Sequence, residues 1–382
     1  FTAAVHRCTG VGKCRAGVSG TFMCPSYLAT RDEKDVTRGR ARILQEAANS
    51  QLVKAIDSPE VLEALDLCLA CKACSADCPA GVDMARYRSE ALFRTYRGRM
   101  RPLSHYTLGW LPRLTRITAR IPGLATVANA VMSVGPLRSL AFRIIGLDPR
   151  RGMPALQSGT FTAWARKRSL LAGSVPTVTP ADAAPSGAAT SDAATDAREH
   201  GGAQASSNST RKRGGAQASS NSARERAGAQ ASSMADSPIL SGPRDPSGRP
   251  YALVWADSFS QTLDDTGARA VVDVLEANGF APIVAPDACC GLTWITTGQL
   301  TGAKKHLASL LGVLAPFAAS GIPIVGVEPS CTAVLRDDLM DLLPEDPRSP
   351  LVSSATRTLA EVLSALPTSA RRLPSLEGVE IV

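Results

Sequence analysis

One run constrains this chain more than any other: Cys68-Leu69-Ala70-Cys71-Lys72-Ala73-Cys74-Ser75-Ala76-Asp77-Cys78-Pro79. It reads C-x2-C-x2-C-x3-C-P. Three thiolates at such short gaps converge on one cubane iron–sulfur cluster, and the fourth, held by a proline turn, points to a different cluster. Zinc would take paired C-x2-4-C hooks closed tetrahedrally. That leaves the third cysteine and the Cys-Pro pair unexplained.

An earlier segment supplies Cys8, Cys14 and Cys24-Pro25, with Val11 where a middle cysteine would stand. Crossover ligation then predicts a complete [4Fe–4S] site from Cys68, Cys71, Cys74 and Cys24. Cys8, Cys14 and Cys78 form a three-cysteine site. Three readings of it stay open: a [3Fe–4S] cluster, a [4Fe–4S] cluster completed by His6 or solvent, or plain thiols. Seven of the ten cysteines fall in the first 78 residues in this order. We therefore expect reduced thiolates in a reducing, cytoplasmic compartment rather than disulfides. The 382 residues allow two or three domains. The chain begins at Phe1 with no leader pattern, and is expected to be a fragment of a longer polypeptide.

Helices are expected between the cysteine segments. Thr37 can cap one through Ala47. Ser58-Pro59-Glu60 opens a second that delivers Cys68, and Asp83 caps a third to about Tyr96. This predicts an α-helical ferredoxin-type domain over residues 1–100, followed by a helical extension over 101–172. Arg86 to Arg120 holds nine arginines and one acid, Glu90. It reads either as solvated faces whose arginine stems cover apolar surface or as a docking face for an acidic partner or anionic lipid. Nucleic acid is not expected, because no binding motif or aromatic platform accompanies the charge. Leu307 to Val327 carries no charged side chain, but Gly321 and Pro323 divide it into a helix and a strand rather than a membrane span. Peripheral association with the inner face of the membrane stays open.

Residues 173–247 are Ala-, Ser-, Gly- and Thr-rich and contain a thirteen-residue direct repeat, Gly201–Arg213 then Gly214–Arg226. With so few apolar side chains, a disordered linker is expected. Residues 248–382 then alternate strand and helix, which predicts a parallel sheet. The expected strands are Tyr251 to Trp255, Pro282 to Ala285 and Pro323 to Val327, with a last strand at Gly378 to Val382. Helices are expected over Ala268 to Asn278 and Thr297 to Ala318. Cys289-Cys290-Gly291, Cys331 and Asp257 all follow strands, at the edge where such sheets bind ligands. Cys289, Cys290 and Cys331 are candidate metal ligands there, or buried structural thiols.

The seven-cysteine arrangement resembles the iron–sulfur subunits of succinate dehydrogenase and fumarate reductase, with the two segments in reversed order. Arg7-Cys8-Thr9-Gly10-Val11-Gly12-Lys13-Cys14-Arg15, Met23-Cys24-Pro25-Ser26-Tyr27-Leu28-Ala29-Thr30, Thr37-Arg38-Gly39-Arg40-Ala41 and Gly81-Val82-Asp83-Met84 resemble a more specific family. This is the FAD-linked oxidases, similar to D-lactate, glycolate and D-2-hydroxyglutarate dehydrogenases. The Cys-Cys-Gly stretch resembles the cysteine-rich CCG domain of heterodisulfide reductase and glycolate oxidase subunits, in one copy, with Asp257 where some members have a cysteine. The resemblance implies an iron–sulfur electron-transfer portion of a 2-hydroxy-acid dehydrogenase. Its FAD would lie in an upstream domain, and its acceptor would be a quinone, a cytochrome or a disulfide. No flavin-anchoring sequence is visible, so no catalytic residue is expected here. The alternatives are a separate iron–sulfur subunit, as in anaerobic glycerol-3-phosphate dehydrogenase, a heterodisulfide-reductase-like catalyst, or an iron–sulfur sensor.

Overall fold

The computed structural model describes residues 1–15, 23–49, 55–145, 148, 150, 154–173 and 239–372. Most of the expected linker, and the strand expected at Gly378 to Val382, lie outside the described residues.

The N-terminal body is a stack of short helices: α1 (Thr2–Val5), α2 (Pro25–Thr30), α3 (Thr37–Asn49), α4 (Pro59–Asp66), α5 (Ala73–Asp77) and α6 (Met84–Thr95). α3 starts at Thr37, so this residue is its first rather than its cap. Ser58 and Pro59 begin α4 as expected, but the Ser58 hydroxyl makes no cap bond. Asp83 does cap α6, accepting from the Arg86 N–H at 3.1 Å. Val5, Val36, Leu44, Val61, Leu65 and Met84 form the core, and Cys14, Cys24 and Cys74 are part of it. The body is too small for aliphatic side chains alone to fill its centre, so sulfur stands where a larger domain would place leucine. Tyr87 Oη donates to the Ala4 carbonyl at 2.6 Å and ties α6 to α1.

Four helices follow: α7 (Leu103–Gly109), α8 (Leu111–Arg120), α9 (Leu124–Ser133) and α10 (Gly135–Ile145). Pro112 does not break its helix. It sits in the first turn of α8, where the missing N–H costs nothing. α11 (Phe161–Lys167) belongs with the sheet. Phe161 and Ala165 are buried against its strands, and Ala172 N–H donates to the Val284 carbonyl.

The C-terminal body is a four-stranded parallel sheet in the order β2-β1-β3-β4: β1 (Tyr251–Trp255), β2 (Ala281–Val284), β3 (Ile324–Gly326) and β4 (Thr356–Arg357). The last strand was not expected. It is two residues long, too short for alternation to register. Helices cover both faces, as an all-parallel sheet requires. α14 (Leu292–Thr296), α15 (Leu300–Ala319), α16 (Pro329–Ala333) and α18 (Arg348–Ala355) pack on Leu253, Trp255 and Ile324. α11, α13 (Thr266–Ala277) and α19 (Leu359–Ser364) pack on Ala252, Val254 and Val325. Two short helices, α12 (Ser258–Thr262) and α17 (Leu339–Leu342), complete the body. No helix among the described residues is long and apolar enough to cross a membrane.

The two bodies touch through close approaches. Gly298 has φ +67°, and a Cβ there would stand 2.5 Å from Leu92 Cβ and 2.8 Å from the Phe93 nitrogen of α6. Only glycine permits both the backbone angle and the contact.

Candidate iron–sulfur centre

The loop from Cys68 to Cys74 reverses direction through two non-glycine residues in the left-handed region, Ala70 at φ 52° and Lys72 at φ 59°. Each costs on the order of 1 kcal/mol, and together they bend the chain on both sides of Cys71. The bend aims the Ala70 N–H at the Cys68 sulfur. Cys74, on α5, accepts from the Met84 N–H at 3.3 Å. Cys24 is also left-handed (φ 57°), with Pro25 opening α2 behind it. Both Cys-Pro pairs therefore end a cysteine loop with a turn into new direction, as the spacing predicted.

Cys24 lies within electrostatic reach of Cys68, and Cys68 and Cys71 within reach of Cys74. Cys8, Cys14 and Cys78 line one cavity with Thr37, Arg38, Pro79 and Val82. Cys24 also reaches Cys14, so it stands near both groups. Val11 is exposed. His6 turns its Nδ1 to the Thr2 carbonyl at 2.7 Å.

Burial raises the Cys14 and Cys68 thiols above their ordinary value and pushes Cys74 up to about 12. All but Cys71 are buried or half-buried. The charges facing them were not anticipated. Arg40 is 2 % exposed. Its Nε donates to the Ala64 carbonyl at 2.8 Å and its Nη1 to Cys24 Sγ at 3.5 Å. Its ion pair with buried Asp35 is loose, at 3.8 Å, so neither Arg40 Nη2 nor Asp35 Oδ1 completes a hydrogen bond. Arg40 and Arg88 both act on Cys68. By their places beside cysteines in the sequence, Lys72, Arg7, Lys13 and Arg15 would be expected to favour the reduced cluster where they sit close. Lys72 turns away from the sulfurs, to Asp338 at 2.9 Å and to Asp83 and Asp337 at 3.8 Å, and docks the cysteine loop on the sheet body. Arg15 pairs with Glu33 at 3.1 Å. Seven converging thiols, N–H donors aimed at sulfur and a buried guanidinium short of an anionic partner fit a negatively charged, sulfur-ligated group. Gly39 keeps this geometry: a Cβ there would overlap the Glu33 carbonyl.

At the carboxyl edge of the sheet, Cys289, Cys290 and Cys331 also meet. All three are buried, and Cys290 hydrogen-bonds to both neighbours. The bond with Cys290 and then burial raise Cys289. Cys331 is raised as well: its bond with Cys290 works most strongly against the shift, and burial together with the Asp257 and Glu328 charges and Cys289 outweighs it. Asp257 is not free to ligate. Its carboxylate caps α12, accepting from Phe259 N–H at 2.7 Å and Ser260 Oγ at 2.6 Å. Among the described residues no group of three or more His, Cys, Asp or Glu is arranged to hold a metal ion.

Four side chains of the arginine-rich stretch reach across to the sheet body. Arg88 Nη1 donates to the Thr296 carbonyl at 2.5 Å, and Arg101 to the Thr297 and Gly298 carbonyls at 2.7 and 2.8 Å. These are orphan acceptors at the end of α14, capped from another body. Arg116 forks onto Asp287 with two 2.7 Å bonds and reaches the Cys289 sulfur. Arg113 lies over the Trp294 ring at 5.4 Å. No spacing rule predicts a cap supplied across 200 residues of chain.

The 4Fe-4S dicluster domain family matches residues 4–82. The D-2-hydroxyglutarate dehydrogenase of Pseudomonas putida is 33% identical over 165 residues, 35% of this chain and 16% of that protein. The proteins of the same name from Escherichia coli and Pantoea ananatis are 26% and 27% identical, over 39% and 31% of this chain and 18% and 15% of their own lengths. The chain thus spans about a sixth of the relatives it matches. No solved structure matches it. Residues 4–82 thus match the 4Fe–4S dicluster domain, in a chain similar to D-2-hydroxyglutarate dehydrogenases over about a third of its length.

Proposed function

We propose that this chain is the iron–sulfur electron-transfer portion of an FAD-dependent 2-hydroxy-acid dehydrogenase. The observation that carries the reading is the gathering of cysteines in one helical body, with Cys8, Cys14 and Cys78 lining one cavity and Cys24 and Cys74 buried in the core beside Cys68. Cys68, Cys71, Cys74 and Cys24 would hold a [4Fe–4S] cluster, and Cys8, Cys14 and Cys78 a second cluster that lacks one protein ligand, of the [3Fe–4S] type. Bound clusters accept electrons one at a time, which is what divides the pair delivered by a flavin hydride acceptor. The chain's own residues hold the sulfurs, exclude water from most of them and set the local charge. Arg40 and Arg88 would favour the reduced, more negative state. The flavin would sit in another part of the longer polypeptide, and a quinone, cytochrome or similar carrier would take the electrons onward. The sheet body is read as a single CCG-type, Rossmann-like domain, whose edge thiols lie across the Arg116 contact from the helical layer.

The test is iron analysis with EPR on anaerobically prepared protein, oxidised and then reduced with dithionite. The reading expects a near-isotropic signal when oxidised and a [4Fe–4S] signal when reduced. In Cys71→Ser the reduced signal and its iron should be lost, while the circular dichroism of the sheet body persists. Iron-free protein after anaerobic reconstitution would overturn the proposal.

A further inference from the structure

The layer α7–α10 buries few side chains, Gly109, Pro112, Thr115, Ala125 and Phe142, and leaves much of its apolar surface exposed. On α8, Arg116 reaches the sheet body and Thr115 beside it is buried, while Arg113 lies at the margin over both Trp110 and Trp294. The opposite side shows Trp110, Leu114, Ile117 and Ile121 to solvent, at the spacing of one helix face. α9 continues with Val127, Val131 and Val134, and α10 with Leu137, Leu140 and Ile144. Exposure along these stripes runs from 41% at Trp110 to 63% at Ile144. The four helices are neighbours in space: α8 meets α7 and α9, and α10 meets α9 and α7. Folded surfaces scatter apolar side chains singly. Contiguous stripes on adjacent helices mark a surface meant to be covered.

Charge says by what. From Ala91 to Leu147 there are nine arginines and no Asp or Glu. Arg120, at the end of α8, and Arg143, in the last turn of α10, are exposed and have no acidic partner among the described residues. A protein-facing patch has a core enriched in aromatic residues and Met with a mixed polar rim. This one is aliphatic, with Trp110 at one end and cations at its margins, on helices of seven to eleven residues. Short helices of that pattern lie in a bilayer interface: aliphatic groups reach the acyl boundary, and arginines meet the phosphates.

We propose that α7–α10 form a docking face for an anionic lipid surface. The face does not span the bilayer. It holds the chain on one leaflet, with the cysteine-bearing bodies on the water side.

The experiment is flotation of the 382-residue chain with vesicles of phosphatidylcholine alone or of phosphatidylcholine with phosphatidylglycerol, with tryptophan emission recorded in parallel. The expected result is flotation with the anionic vesicles and a blue shift from Trp110. Ile117→Glu with Leu140→Glu should lower binding by on the order of tenfold or more, with unchanged circular dichroism because both sites are exposed. Arg120→Glu with Arg143→Glu should remove the preference for anionic over neutral vesicles. Wild-type protein that floats with neither vesicle would overturn the proposal. So would undiminished flotation of the Ile117→Glu/Leu140→Glu protein. A soluble oligomer that this pair of substitutions converts to monomer would overturn it too, by assigning the face to a second copy.

Discussion

The Arg116–Asp287 fork is the contact through which the helical layer is tied to the thiol edge of the sheet. Its strength can be worked from its geometry. Two parallel 2.7 Å bonds join side chains that are 15% and 19% exposed. Burial works against the Arg116 charge, and the carboxylate more than offsets it, so the guanidinium is held charged. Charge-assisted bonds contribute about 1.5–3 kcal/mol each when shielded, and an exposed pair contributes about 0–1 kcal/mol in total. This pair lies between those limits. Removing Arg116 also strands Asp287 in a half-dry site. Arg116→Met should therefore destabilise the protein by about 2–4 kcal/mol, and Asp287→Asn by about 1–3 kcal/mol. The double variant should lose less than the sum, with a coupling energy of about 2 kcal/mol. Urea unfolding followed by the fluorescence of buried Trp255 and Trp294 measures all four corners of the cycle. Coupling below about 0.5 kcal/mol would refute the reasoning. The fork would then be an ordinary surface pair, and the layer would be held by packing and by its other bonds, from Thr293 to the Gly109 carbonyl and from Gln299 to the His105 carbonyl.

Two further outcomes follow from the same interface. Gly298→Ala places a methyl group against Leu92 and Phe93 in a left-handed position, and should cost about 2–3 kcal/mol, read as a lower Tm with the secondary structure retained. His105 is held neutral by burial and by the Arg101 and Arg88 charges, with its pKa lowered from 6.5 to about 4. The unfolded chain therefore binds a proton that the folded chain refuses. Stability should fall as pH drops from 6.5 towards 4 and level off below it, by about 1–2 kcal/mol once partial solvent access is allowed for. His105→Gln should flatten that limb. An unchanged pH profile in this variant would show that the histidine is already solvated.

Legibility was highest where chemistry dictates spacing. That the Cys68–Cys78 segment and the Cys8–Cys24 segment fold into one helical body could be drawn from gaps alone. A rigid polyhedral group leaves few ways to thread a short loop around it. The strand–helix alternation after Tyr251 was legible for a similar reason: a sheet buried on both faces needs continuous apolar runs. Strand β4 was not, because two residues carry no period. The charged environment was misjudged in direction. Lys72 sits between two cysteines in sequence, yet its side chain leaves them for Asp338. Arg40 is sixteen residues from Cys24 and points at its sulfur.

The sequence by itself determined that the cysteine loops alternate with helices and that a parallel sheet follows. These depend on local spacing and on periodic burial, both of which are written along the chain. Only the tertiary structure decided what the arginines do. Arg88 and Arg101 cap the end of α14, Arg116 holds Asp287, and the aliphatic side of α8 is left facing outward. An arginine's long stem reaches whichever carbonyl or carboxylate the fold brings near, and that acceptor can lie 200 residues away. The side of an amphipathic helix that faces water is therefore fixed by the surface its arginines find, and the helix's own pattern, read alone, gives the opposite answer.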